Sequence, residues 1–533
     1  MRTDILQSSV GKAISDILIV VLLAWTVISF VHNNSVNGRI GTWGIQYNED
    51  VSKAIITALV YCVGRLCFSI HFQWSRVLLY VILCAVSLRE LIFCMSQFFH
   101  GNGSLTGTMG NTGLLGGLIT VSMCVFGADI VKGGKYFRLL FLLPFLVLEI
   151  MTFSRAAWLS LAIVAFYLCL KSEPLYRWIL RWKIHLLITA IFVGTLLYFL
   201  KRESADSRLF MGMIILRNFH KVGLLGVGPG NYCGFYGRSL FDYFQGAENS
   251  LDCVEALTKE RIGAGIPDCA YNELLRVFVE TGFVGVAIIT AVSLLTLLRL
   301  YRINDSLFYG FLALIIFSMF SFPSRLPLFC CLLGILMAAG ASISEEKAQN
   351  RFKPLYIVWS LLCFVAFVCL SKMRNEEVII NGFKNMQDFS NMGFYDEIVK
   401  AGDSLYNKGY ASPKFLLIYG QALRNIQEYE KSDKVINHGM EMSSTPVFWK
   451  VLGDNSVSKG DYLRAEKQYL HSFIMMPNRM QPMLDLARLY HTTGDTAKLS
   501  RIGDCAQRMI PKVENFKTRR MREEIMSLKG DYK

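Results

Sequence analysis

The chain has 533 residues, of which 53% are hydrophobic and only 18% charged, and its mean hydropathy is +0.38. Soluble domains carry about 25% charged residues, so this composition excludes a string of soluble domains, and equally disorder, collagen and a small disulfide scaffold. The net charge of +14 divides into 30 Lys/Arg against 21 Asp/Glu in residues 1–371 and 25 against 20 in residues 372–533; the more apolar part carries the larger excess, which points to a membrane before nucleic acid.

A bilayer core of about 30 Å needs about 20 mostly apolar helical residues. Eleven stretches answer that description, near 13–32, 54–71, 76–98, 113–131, 137–152, 156–171, 183–200, 274–298, 306–322, 326–343 and 354–371. The expected fold class is all-α: a polytopic membrane protein of about eleven transmembrane helices over residues 1–371. The fifth and sixth stretches are separated only by residues 153–155 and are expected to form a tight hairpin. No small-residue cleavage site follows the first, so it reads as a span and not as a cleaved signal peptide.

Lys and Arg in short loops set orientation. With a cytoplasmic N-terminus, the inner segments hold fifteen, from Arg2 and Lys12 to Arg351 and Lys353, and the short outer loops hold four: Arg39, Lys53, Arg155 and Arg325. The basic balance is thus mostly topological, which argues against a nucleic-acid partner and for a lipid bilayer. Residues 201–271 then face outward. With an odd number of spans, residues 372–533 do so too.

Those last residues return to soluble composition and carry a period. Gly420, Gly453 and Ala487 are spaced by 33 and 34, as are Tyr429, Tyr462 and Thr496. The middle unit reads Leu452-Gly453, Lys459-Gly460-Asp461-Tyr462, Ala465, Tyr469 and Pro477. This resembles the tetratricopeptide pattern: small residues where two helices cross, a Gly-containing turn, and Pro after the second helix. It implies a short α-solenoid of three units, with a degenerate one near residues 394–405, that binds a protein partner or packs on its neighbour. The basic run Lys512, Lys517, Arg519, Arg520 and Arg522 reads as a solvated helix face, with anionic head groups as the alternative.

No CxxC or His/Cys cluster suggests a metal, and no cofactor motif is present. Most of the fourteen Cys lie in spans, as small apolar residues. Cys233, Cys253 and Cys269 lie in the outward loop, where an oxidising compartment permits a disulfide, and the sequence does not choose the pair. Arg65, Arg89, Glu90 and Glu149 fall within spans, where charges pair with one another or serve function. Arg155, Arg208, Arg217, Arg276 and Arg325 sit at the outer membrane edge. Guanidinium forks suit phosphate and diphosphate, and a lipid diphosphate has its charge at this depth. Gly226-Val-Gly-Pro-Gly-Asn-Tyr232 is not a P-loop, since no Lys-Ser/Thr follows and no βαβ unit surrounds it; it reads as a tight turn that lets backbones approach.

Four short motifs, in order, resemble the O-antigen ligase superfamily, which also holds O-antigen polymerases and bacterial O-oligosaccharyltransferases. Leu105-Thr-Gly-Thr-Met-Gly-Asn111 resembles the family's G-T-F-G-N. Ser154-Arg-Ala-Ala-Trp158 resembles S-R-G-A-W. Ser207-Arg208 followed by Gly226-Val-Gly-Pro-Gly-Asn-Tyr232 resembles S-G-R and G-V-G-x-G-N-F. Tyr271-Asn272, nine residues, Gly282, two residues and Gly285 keep the spacing of the family's H-N…G…G. The match covers roughly residues 100–340.

The resemblance implies a GT-C-like glycosyltransferase of the bacterial inner membrane, N-terminus cytoplasmic and repeat domain periplasmic, that uses no metal. The donor would be a glycan on undecaprenyl diphosphate, and the acceptor a hydroxyl of lipid A-core, of a growing glycan (a polymerase), or of protein Ser/Thr. Arg155 and Arg208 match the family arginines that grip the diphosphate. Tyr271 stands where the family has His, and a phenol of pKa about 10 is a poor base at pH 7. Three readings stay open. Tyr271 orients the acceptor beside arginine electrostatics; another residue (Asp268, Glu273, Glu280 or His220) is the base; or the protein is an inactive paralogue. Arg217, Arg276, Asn111, Asn272 and His220 are the expected substrate-binding residues, with helix capping the alternative for Asn272. A polysaccharide-export component or a membrane scaffold presenting repeats is the reading from another class.

Overall fold

A computed structural model describes residues 9–36, 48–101, 103–171, 173–200, 202–245, 269–342, 353–374, 376–407, 410–476, 479–509, 511 and 514–530. Among these residues every regular element is helical. The first part holds α1 (Ser9–Val36), α2 (Glu49–Ile70), α3 (Phe72–Phe99), α4 (Thr112–Lys132), α5 (Leu143–Met151), α6 (Arg155–Lys171) and α7 (Glu173–Leu200). It continues with α8 (Arg202–Arg217), α9 (Tyr232–Gln245), α10 (Glu273–Arg302), α11 (Leu307–Ser318), α12 (Pro327–Ser342) and α13 (Lys353–Arg374). Among the described residues five helical stretches are long and apolar enough to cross a bilayer: Ile14–Asn33, Glu49–Ile70, Phe72–Phe99, Thr112–Lys132 and Glu273–Arg302. Shorter apolar helices are Leu307–Ser318, Pro327–Ser342 and Pro354–Cys369.

α4 is buried along most of its length, from Leu114 to Ala128, and packs on α6 and α11. Its glycines allow this: a Cβ on Gly117 would lie 2.4 Å from the Phe317 ring of α11. The outside of the bundle is apolar too. Leu78, Ile82 and Ile92 of α3 and Ile184, Leu187 and Ile188 of α7 are exposed, a belt far larger than the apolar patches of soluble monomers.

Of the charged groups inside the bundle, Arg65 and Glu90 are ion-paired, and Glu149 is not. Asp16 accepts from Arg65 Nε and Nη2 at 2.9 and 3.0 Å and from the Tyr61 and Tyr356 hydroxyls at 2.6 and 2.8 Å, which ties α1, α2 and α13 together. Arg89 and Glu90 lie 3.5 Å apart. Glu149 Oε1 accepts from the Thr120 hydroxyl at 3.1 Å.

Two stretches differ from uniform spans. The fifth is a 3-10 segment, Tyr136–Leu142, followed by the nine-residue α5. At 2.0 and 1.5 Å per residue it still covers roughly 27 Å. The eighth, α10, is broken at Gly282, whose φ of 73° and ψ of −170° no helix contains.

The second part runs through α14 (Glu376–Met392), α15 (Tyr395–Asn407), α16 (Pro413–Asn425), α17 (Tyr429–Met442) and α18 (Val447–Ser458). It ends with α19 (Tyr462–Met475), α20 (Met480–Thr493), α21 (Thr496–Arg508) and α22 (Phe516–Gly530). Each helix packs on the next. From α15 to α19, every crossing has a glycine met by a bulky side chain of the following helix. A Cβ would stand 2.3 Å from Tyr419 at Gly402, 2.5 Å from Ile436 at Gly420, 2.3 Å from Phe448 at Gly439 and 2.3 Å from Tyr469 at Gly453. The sequence period marks only alternate members of this series. The turns repeat in backbone conformation as well: Gln427, Gly460 and Gly494 have φ of 69°, 77° and 71°. At the end, Arg522 donates to the Ala506 and Met509 carbonyls, both at 3.1 Å, and so closes α21. Of the basic run, Lys512 lies outside the described residues.

The second part docks on α9. A Cβ on Gly234 would meet the Glu441 carbonyl at 1.8 Å, and one on Gly237 would lie 2.9 Å from Ser444 Cα. His471 of α19 is sandwiched between Phe241 of α9 and Trp449 of α18, with ring centroids 3.4 and 3.7 Å away.

Candidate functional site

The break in α10 sets the geometry. It frees carbonyls that a straight helix would occupy, and freed carbonyls need donors. The Gly-rich turn supplies them: Val227 N donates to Val279 O at 2.8 Å and Gly228 N to Glu280 O at 3.0 Å. From α1, Trp25 Nε1 donates to Thr281 O at 2.8 Å and the Ser29 hydroxyl to Glu280 O at 3.0 Å. Two glycines make the approach possible. A Cβ on Gly226 would lie 2.4 Å from the Glu280 carbonyl carbon, and one on Gly282 2.0 Å from Leu224 O. The motif is a backbone-to-backbone dock that fixes the start of α10.

Tyr271 precedes that start, with φ of 50°. The Arg208 guanidinium of α8 lies over its ring, 4.3 Å from the centroid, and donates to Phe320 O at 3.1 Å. Phe322 meets the Tyr271 ring edge-on at 5.2 Å, and Arg325 lies 6.0 Å over the Phe322 ring. Among the described residues no carboxylate pairs with Arg208. Burial, and then the like charge of Arg155, hold Arg208 below the ordinary arginine pKa. Arg155 begins α6, directly after Phe153, whose φ is also 50°, and buried Ser154. Trp158 anchors this corner by donating from Nε1 to Glu149 O at 2.8 Å. Tyr271, Arg208 and Arg155 thus form one basic, aromatic-floored cluster.

The other expected residues fall elsewhere. Arg276 faces the opposite side of α10. Its fork is occupied by Glu273 at 2.9 Å and Glu280 at 2.6 Å, with Asp50 at 3.7 Å and Ser324 Oγ at 2.8 Å. It is a neutralised organiser of the α10 start and not an open arginine. The same contacts hold Glu273 and Glu280. Asn272 caps α10, accepting from Leu275 N at 3.0 Å, and its amide donates to Met319 O at 3.0 Å, so both ends of the side chain are engaged. Asn111 caps α4 through Leu114 N at 3.1 Å. Arg217 lies over the Tyr243 ring at 5.1 Å, and His220 is exposed in the 3-10 turn Phe219–Lys221; neither joins the Tyr271 cluster. Asp268 and Cys253 lie outside the described residues, and with Cys253 go the two pairings that include it; Cys233 and Cys269 form no disulfide with each other.

The first motif is a turn held by buried Glu90, which accepts from Thr108 N and Oγ1 at 2.8 and 2.6 Å. Sequence reasoning missed Phe322 and the Phe320 carbonyl, which are ordinary span residues by composition. It also missed the carboxylates around Arg276, although the Glu273 and Glu280 spacings of three and four residues are the signal for helical ion pairs.

Fold and site together define an all-helical protein with membrane-length helices and an arginine–aromatic cluster at one end of the bundle. In comparisons with known proteins, no family model, no curated protein and no solved structure matches the chain.

Proposed function

We propose that the protein is a membrane glycosyltransferase that moves an oligo- or polysaccharide from undecaprenyl diphosphate to an acceptor hydroxyl of lipid A-core or protein. The observation that carries this reading is Arg208, stacked on Tyr271, unpaired with any described carboxylate and pressed by Arg155. A guanidinium fork that no described carboxylate occupies suits one phosphate of a diphosphate, and Arg155 is near enough to act on the same charge. The acceptor oxygen attacks the anomeric carbon from the face opposite the diphosphate. The carbon–oxygen bond to the diphosphate breaks with its electron pair, the negative charge stays on the leaving diphosphate and is stabilised by the two arginines, and the acceptor proton leaves to water on the opposite face. This is electrostatic catalysis without a strong protein base. Engagement of Glu273 and Glu280 by Arg276 favours it over a carboxylate base, and leaves Tyr271 to orient the acceptor.

In this reading the membrane part has eleven spans in the bacterial inner membrane. Residues 372–533 form a tetratricopeptide-like solenoid in the periplasm, where docking on α9 sets them beside the cluster. The test is deletion followed by profiling of surface glycans, with complementation by Arg155→Ala and Arg208→Ala. Each variant is expected to leave the lipid-linked glycan unused. Full rescue by both removes the arginine mechanism. Loss of the added glycan with intact chain length marks a ligase or protein glycosylator; shortened chains mark the polymerase.

A further inference from the structure

A second feature lies on the other side of α10. A cavity of about 280 Å³ sits between α1, α2, α10, α11 and α12. Its volume falls just below that of drug-sized ligand pockets, which run from about 300 to 1,000 Å³, and suits a single chain. Its length is walled by aliphatic side chains, among them Leu22, Leu23, Ile289, Leu314 and Leu333. Leu294 belongs to the same wall and is 54% exposed, so the wall reaches the side of the bundle where acyl chains lie.

One end is charged. Asp50, Glu273 and Glu280 line it with Lys53 and Arg276. The two cations are consumed locally. Arg276 is held by all three carboxylates, and Lys53 by Glu49 at 3.0 Å and Asp50 at 3.6 Å. With both cations engaged, Asp50 Oδ2 keeps open acceptor capacity at this end. A phosphate head group finds no open guanidinium there. A head group that donates hydrogen bonds is welcomed.

The geometry points to a second lipid site, which takes one hydrocarbon chain ending in a hydrogen-bond-donating, non-anionic head: a hydroxyl-bearing sugar or an ammonium. It is separate from the Tyr271 cluster, none of whose three residues lines the cavity, and it does not depend on glycan transfer.

The test uses the full chain in phosphatidylcholine nanodiscs and a photoreactive decyl glucoside, with adducts mapped by mass spectrometry. Labelling is expected on the cavity-lining segments of α1 and α10. Excess decyl glucoside or decylamine should reduce it at least tenfold, and decyl phosphate less than twofold; which of the first two competes better identifies the head group. Ala54→Leu, which narrows the cavity beside its charged end, should cut labelling at least tenfold with an unchanged melting temperature. Equal competition by decyl phosphate, or labelling spread over the bundle surface and unaffected by Ala54→Leu, overturns the site. Neither outcome bears on the arginine variants, which are read by glycan transfer.

Discussion

Tyr271 and Phe153 both take φ of 50°, a region that non-glycine residues rarely occupy and that costs about 1–3 kcal/mol. Both stand next to the arginines of the cluster, so the backbone is held against its preference where the side chains converge. Where Tyr271 acts through its ring instead of orienting the acceptor by its hydroxyl, Tyr271→Phe keeps the platform under Arg208 and transfer stays within about threefold. Tyr271→Ala removes a cation–π contact of about 0.5–2 kcal/mol, a loss of roughly 2- to 30-fold in donor binding. A transfer assay on purified protein decides; equal losses in the two variants would assign chemistry to the hydroxyl. The repeat part offers a residue-scale test without catalysis. Gln427 occupies the left-handed position that Gly460 and Gly494 fill in the following turns. Gln427→Gly is expected to stabilise by about 0.5–1 kcal/mol, since relief of the Cβ clash outweighs the added freedom of the unfolded chain. A fall in the melting temperature of the full chain would contradict this.

At the scale of elements, the broken α10 and the Gly-rich turn are one structure. Gly226→Ala or Gly282→Ala places a methyl against backbone that has no room to yield, at 2.4 and 2.0 Å. Each is expected to destabilise by at least about 2 kcal/mol, the sum of overpacking and a left-handed alanine. Gly223 has φ of 71° but nothing within 4 Å of its Cβ position; Gly223→Ala supplies the control, with only the conformational cost of about 1 kcal/mol. Thermal unfolding of solubilised protein separates the two effects, and equal costs would mean the dock is loose. This pair also shows what the sequence makes legible. The helices announce themselves through long apolar stretches, and the repeat part through glycines at helical crossings, because both are periodic. The spacing from Asn272 to Gly282 is visible too, but nothing local says that Gly282 breaks the helix, since the donors that make the break tolerable come from Trp25, Ser29 and the Gly-rich turn. Arg276 fails as a ligand candidate for a similar reason. Charge and depth make it look like Arg208, and Asp50, which helps neutralise it, comes from another helix. Gly234 and Gly237 went unread because their partners lie in the second part.

For the whole molecule, the decisive contact is the dock between α9 and the repeats. α9 follows directly from the turn that braces α10, so the repeats sit at the same end of the bundle as Tyr271. His471 occupies the centre of the dock, and its burial pushes its pKa down to about 3 from an ordinary 6.5. The docked state therefore binds fewer protons than an open state with a solvated imidazole. Docking is fully stable above pH 6.5 and loses stability as pH falls from there toward 3. By linkage, the loss at pH 5 relative to pH 8 is about 2 kcal/mol, roughly a 30-fold rise in the open population. Hydrogen exchange of α9 in the full chain, corrected for intrinsic rates, is expected to show that rise. His471→Phe keeps a flat ring between Phe241 and Trp449 but has nothing to protonate, so its α9 protection should be the same at both pH values. If wild-type α9 is equally protected at pH 5 and pH 8, opening does not expose the imidazole and the dock carries no acid sensor.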